Sequence, residues 1–172
     1  MFGRMPKLPA ALRPALEREE RVLAWAPAAD QAVVVTNRGL WLPGADRLSW
    51  HEIHKAVWAD GTLTVTPAVF TPGDDYAFAS DAPPVTVTLA EPRMVPRRVR
   101  ERVTASVAYT SVYPIPGGGI VRVVARRVSG RDGLSWSVRL EGSAVHNQDD
   151  PEVRAAIDES VATSQSSIAV VD

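Results

Sequence analysis

The chain has 172 residues, 45% of them apolar and 23% charged, with a net charge of −1, which suits one domain or two very small ones with a real core. It has no cysteine, so a disulfide framework and every thiolate site are excluded. No apolar run nears the ~20 residues of a membrane span, and the first residues lack the continuous apolar core of a signal peptide; a cytoplasmic protein with no integral membrane segment is expected.

In chain order, Leu8, Leu12 and Leu16 recur every four residues, so a short helix over 9–17 is expected, confined by Pro14. Residues 21–27 read as a first strand with Leu23 and Trp25 on one face. Residues 31–36, with three consecutive valines, read as a second. Asn37-Arg38-Gly39 turns the chain, and Leu40–Leu42 returns.

The stretch 48–67 is the organising element of the chain. Asp60-Gly61 suits a type I′ turn, since both central residues take positive φ. That turn pairs Ala59 with Thr62, Trp58 with Leu63 and Ala56 with Val65, so Ala56, Trp58, Leu63 and Val65 are expected to point inward. A three-residue loop would pair Val57 with Leu63, but it brings Lys55 inward. Trp50 and Ile53 are three apart, a helical spacing, so a turn or bulge is expected between Ser49 and Lys55.

Residues 71–75 form a loop, Tyr76–Ala79 a short edge strand, and Val85–Leu89 an alternating strand. Pro96 opens a helix to Val107, with Val95, Val99, Val103 and Val107 as its apolar stripe, turning into strand near Ala105. Residues 109–115, 120–128 and 134–141 read as three antiparallel strands. Asp150-Pro151-Glu152 starts the last helix by capping, a helical first position and dipole complementarity. Its inner face is Val153, Ala156, Ile157, Ser160 and Val161, and residues 164–172 are expected to fray.

Two patterns carry a resemblance. The run 33–42, ending in Thr36 and a polar turn with Arg38, is followed by Ser49-Trp50-His51-Glu52-Ile53 and by Gly61-Thr62-Leu63-Thr64-Val65. This resembles a bacterial pleckstrin-homology-like (PH/GRAM-like) domain, as does 16–23, although Glu19 stands where that family often has Gly. The whole chain resembles a set of uncharacterised actinobacterial proteins, through 21–27, 99–103, 135–138 and 150–154. The superfamily resemblance covers roughly 16–89, with 96–107 the candidate closing helix, and implies a pleckstrin-like sheet or barrel; with the small three-stranded sheet and C-terminal helix read from the residue pattern, an α+β, mainly antiparallel fold is expected. The expected segments are an arm or short helix over 1–15, the pleckstrin-like domain over 16–107, a β-β-β-α subdomain over 108–163 packed on it and a tail over 164–172. Such folds bind lipids, peptides and proteins alike, and the fold does not choose among them.

No complete catalytic set is found. His51 and His54 are three apart beside Glu52, with His146 the only other histidine, so no metal ligand set is complete. Pro116-Gly117-Gly118-Gly119 lacks a following Lys-Ser/Thr and reads as a hairpin loop. The pairs Asp74-Asp75 and Asp149-Asp150 read as loop and cap residues. Of the five tryptophans (25, 41, 50, 58 and 136) most belong to the core, with room for one to line a pocket.

The charge is uneven: residues 93–139 hold ten arginines against Glu101 and Asp132, a net of +8. Within it Arg97, Arg98, Arg100, Arg102, Arg122, Arg126 and Arg127 are the candidate anion- or partner-binding residues. A non-enzymatic protein–protein interaction or adaptor role is expected, through a protein partner or self-association, with no cofactor and no metal. The second reading is an anion-binding module for phospholipid or nucleic acid. Nucleic acid is disfavoured by the acidic pI of about 6.3, because such binders usually have a basic domain.

Overall fold

The computed structural model of the protein describes residues 4–169. The fold is α+β and strand-rich, and it divides into two compact units. One comprises residues 4–68, 81–106 and 128–131; the other comprises 69–80, 107–127 and 132–169.

In the first unit, β1 (Val22–Ala28), β2 (Gln31–Thr36), β3 (Gly39–Trp41) and β4 (Leu48–Ser49) form an antiparallel sheet in sequence order. A 3-10 turn over Trp50–Glu52 re-aims the chain into β5 (Ile53–Ala59), which pairs with β6 (Thr62–Thr71). The register slips between Ile53 and Lys55. Turn and slip together let Trp50 and Ile53 both reach the core, where each is almost fully buried. Asp60 and Gly61 take φ of 51° and 75°, and Trp58 faces Leu63 and Ala56 faces Val65, so the two-residue turn sets the register. After β7 (Ala77–Asp81), β8 (Val85–Thr88) pairs with the other side of β6. Helix α1 (Val95–Ser106) closes the unit.

The core draws on both sheets and the helix. Ala24, Val33, Val35, Leu40, Leu63 and Val65 pack with Val95 and Val99, and Val103 packs against them half-buried. Burying such aliphatic side chains contributes roughly 1.5–3 kcal/mol each, which explains why a helix rich in β-branched valine is stable here. Its fourth stripe residue, Val107, begins the next strand instead.

Three expectations for this unit are corrected. Residues 9–17 form only a single 3-10 turn over Ala10–Leu12, because Pro9 and Pro14 leave too few donors for an α-helix. Leu23 and Trp25 do not pack together. A bulge between Val22 and Ala24 leaves Leu23 against the main core, while Trp25 packs on the outer side with Leu8, Ala32 and Val34. Trp58 has the expected partner but is 37% exposed, since α1 fills the core through Val95 and Val99 and leaves the last rung of the hairpin open.

In the second unit, β9 (Val107–Pro114), β10 (Ile120–Arg127) and β11 (Leu134–Glu141) are antiparallel in that order. The short strand expected near Tyr76–Ala79 is β7, and it is no edge. It pairs in parallel with β11 through Ser137 with Ala77 and Val138 with Phe78, and its other neighbour is β6. A parallel neighbour far along the chain leaves no local signature. An unanticipated 3-10 segment, Gly142–Asn147, leads to α2 (Pro151–Ala169). Asp150 Oδ1 accepts hydrogen bonds from the amides of Glu152 (2.9 Å) and Val153 (3.4 Å), as an N-cap should. Val153, Ile157 and Val161 pack with Val121, Val123 and Val138. Fraying from Ser164 is corrected as far as Ala169: Ser164 is buried, and its hydroxyl lies 2.9 Å from that of Tyr113. The expectation for residues 170–172 falls outside the described residues.

Candidate functional site

The open rung of the β5–β6 hairpin is one wall of a groove of about 570 Å³, lined by Ala56, Val57, Trp58 and Leu63 from the strands and by Pro96, Arg97, Val99 and Arg100 from α1. Its size falls within the roughly 300–1,000 Å³ of ligand sites. Val57 is 49% exposed. In a β-strand successive side chains alternate faces, so Trp58 faces toward the helix and Val57 away from it. The strand therefore offers apolar surface on both sides, and among the described residues β5 has β6 as its one strand neighbour.

Four of the seven candidate arginines stand on α1. Arg97 Nε lies 3.1 Å from Glu101 Oε1, and Arg98 Nη1 lies 3.2 Å from Glu101 Oε2. The hydrogen bond from Arg97 is the main cause holding the Glu101 carboxyl below its ordinary value. Arg100 is exposed and Arg102 half-buried, and neither has an ion pair among the described residues. One turn of helix thus presents two arginines sharing one carboxylate and, at the groove, a third without an acidic partner.

The remaining three belong to the second unit. On β10, Val121, Val123 and Ala125 point to the core and Arg122 and Arg126 to the other face, with Arg127 opposite them by alternation. Arg122 Nε donates to Glu141 Oε1 at 2.8 Å, and this bond raises its pKa. Burial, helped by the like charge of Arg139, pulls Arg126 down. Arg127 Nη1 donates to the Val107 carbonyl at 3.3 Å. The basic block of the sequence is therefore divided between the two units.

A buried polar hub stands at the start of the first sheet. Glu20 is buried, with Oε2 accepting from the Thr36 hydroxyl (2.6 Å) and Trp41 Nε1 (2.9 Å). Its Oε1 accepts from Arg47 Nη1 (2.7 Å) and the Glu17 amide (3.1 Å). Burial opposes ionisation, but the bonds from Thr36, Trp41 and Glu17 and the charge of Arg47 outweigh it and hold the carboxyl below its ordinary value. Both oxygens are used to tie the residues before β1 to the β2–β3 turn, so the hub serves architecture. Sequence reasoning missed it, because nothing in Glu19-Glu20 marks the second carboxylate as buried.

Other motifs find plain roles. Gly117, Gly118 and Gly119 all take positive φ in a hairpin loop, closed by the Ile115 amide on the Gly119 carbonyl at 3.0 Å. His54 Nε2 lies 4.0 Å from Asp81, and no group of three metal-binding side chains occurs among the described residues. In the second unit a recess of about 360 Å³ is lined by Asp74, Asp75, Tyr76, Phe78, Arg154 and Asp158, among others. There Tyr76 donates to Asp158 at 2.5 Å, and Arg154 lies 4.8 Å over the Phe78 ring. Burial first, then the Asp158 carboxylate, pushes the Tyr76 phenol far up, the wrong direction for a base or nucleophile. No helix among the described residues is long and apolar enough to cross a membrane.

No family model matches the chain, and no curated protein or solved structure matches it.

Proposed function

We propose that the chain is a non-enzymatic, cytoplasmic protein–protein interaction module, its first unit a pleckstrin-homology-like domain closed by α1. The fold reading is supported by the sandwich of β1–β4 against β5, β6 and β8 with one helix on their shared core. The observation that carries the functional reading is the groove between β5 and α1. A half-open tryptophan beside an exposed valine and two arginines is the composition of a protein interface, where aromatic residues and arginine are enriched.

The anion-binding alternative is weakened by the pairing of its own residues. Glu101 serves Arg97 and Arg98, and Glu141 serves Arg122, so much of the positive charge is neutralised internally.

The test is capture of partners from the native host's lysate by the wild type, by Trp58→Ala and by Arg122→Ala, with protein, lipid and nucleic acid all profiled. A stoichiometric protein retained by the wild type and by Arg122→Ala but lost with Trp58→Ala is expected. Lipid or nucleic acid as the sole retained material would sink the proposal.

A further inference from the structure

We propose that the outer edge of β9 joins two copies of this chain, antiparallel about a two-fold axis, into one continuous sheet. This surface belongs to the second unit and is separate from the β5–α1 groove. An edge strand turns every second N–H and C=O away from its neighbour, a template for another strand. β9 ends its sheet, with β10 as its one strand neighbour among the described residues. From Ala108 to Pro114, no main-chain group turned away from β10 has a partner among the described residues.

The other terminal strands are blunted in the ways that usually prevent such pairing. β1 contains Pro27, and β4 is only two residues long. β8 has four residues and follows directly on Pro83 and Pro84. β5 carries Lys55. β9 has eight residues and no charge, and its only proline is the last of them. Val107, Tyr109, Thr110, Val112 and Tyr113 are β-branched or aromatic, the types that favour strands.

Charge and symmetry then select the occupant. No side chain of β9 attracts a charged partner, and none repels a second β9. A two-fold interface is isologous, each copy offering the same patch. Antiparallel strands about an axis normal to the sheet keep their faces. Thr110 and Val112 of both copies therefore line one face, and Tyr109, Ser111 and Tyr113 the other. Thr110 and Val112 are exposed in the single chain, and β-branched residues side by side are favourable cross-strand neighbours. Arg122, opposite Val112 on β10, is already paired with Glu141, so it brings no bare cation to the second copy. Helix α2 packs on the core face, where Ser164 meets Tyr113, and leaves the edge itself free. One identical copy uses up both edges, whereas a long uncharged edge left open invites aggregation.

The experiment is sedimentation equilibrium of the full chain over a range of concentrations, with hydrogen–deuterium exchange at both ends of that range. A reversible monomer–dimer equilibrium is expected, and alternate amides of 108–114 should gain protection only where the dimer forms. Thr110→Lys with Val112→Lys sets like charges beside each other across the axis and should weaken the dimer roughly tenfold. Thr110→Asp with Val112→Asp should do the same. Mixing the two double variants should restore a dimer holding one of each, a gain that misfolding cannot mimic. Trp58→Ala should leave the equilibrium unchanged.

A chain that stays monomeric to about 1 mM overturns the proposal, as does a dimer that both double variants keep. Open-ended association into larger species overturns the closed two-fold pairing. A dimer protected at other residues, or lost with Trp58→Ala, forms through another surface and overturns the assignment to β9.

Discussion

Two tryptophans of the first unit, Trp25 and Trp58, meet opposite fates. Trp25 lies on the outer side of β1 and is 6% exposed. The arm before the sheet covers it: Leu8 and Leu12 pack there, Pro6 accepts a 2.7 Å hydrogen bond from its indole N–H, and the Arg93 guanidinium sits 4.3 Å over the ring. Trp58 lies on the core-facing side of β5, yet nothing in the unit completes its cover. The inward or outward face of a strand does not by itself decide burial; what the chain lays over that face does. The covered indole serves stability, while the open one is available for recognition.

This contrast can be broken at several points. The largest effect is expected at the hub that anchors the covered side. Glu20→Ala should cost about 3–4 kcal/mol in denaturant unfolding, because it strands the Arg47 guanidinium and three further donors. The hub also has a pH signature. A carboxyl held below its ordinary value stabilises the fold fully above the unfolded pKa and loses that contribution as pH falls through the folded one. The stability advantage of wild type over Glu20→Gln should therefore be present at neutral pH and vanish on acidification below the usual carboxylate range, as followed by chemical unfolding at stepped pH.

Trp25→Ala should destabilise by about 3 kcal/mol, the cost of emptying a large aromatic site. Trp58→Ala should change stability by less than about 1 kcal/mol, since much of its surface stays in water. Equal losses at the two sites would erase the distinction between a structural and an available indole. The smallest effect is expected on the exposed Arg122–Glu141 pair, where a double-mutant cycle should give about 0.2–1 kcal/mol, falling with salt.

The legibility of the chain tracked the range of the interactions involved. The β5–β6 hairpin could be read because its turn chemistry and alternation are local, and Asp150-Pro151-Glu152 announced α2 for the same reason. The slip near Ile53 was readable from the spacing of Trp50 and Ile53. The groove was half legible. Arg97 and Arg100 stood out by charge, but the tryptophans were read mainly as core, with room for one to line a pocket, and Trp58 was assigned to the core. Which tryptophan stays open depends on where α1 stops covering the sheet, a distance between elements far apart in the chain.

By itself, then, the sequence determined the mainly antiparallel strands, the register of the β5–β6 hairpin and most of the two apolar helix faces, because residue type and periodicity set those over a few neighbours. Tertiary structure alone decided the rest. It divided one run of arginines between two units, paired Glu101 with two of them and Glu141 with a third, buried Glu20 under Arg47, and joined β7 to β11 in parallel. These outcomes depend on which distant surfaces meet, and burial and pairing energies belong to those meetings rather than to any single stretch of residues.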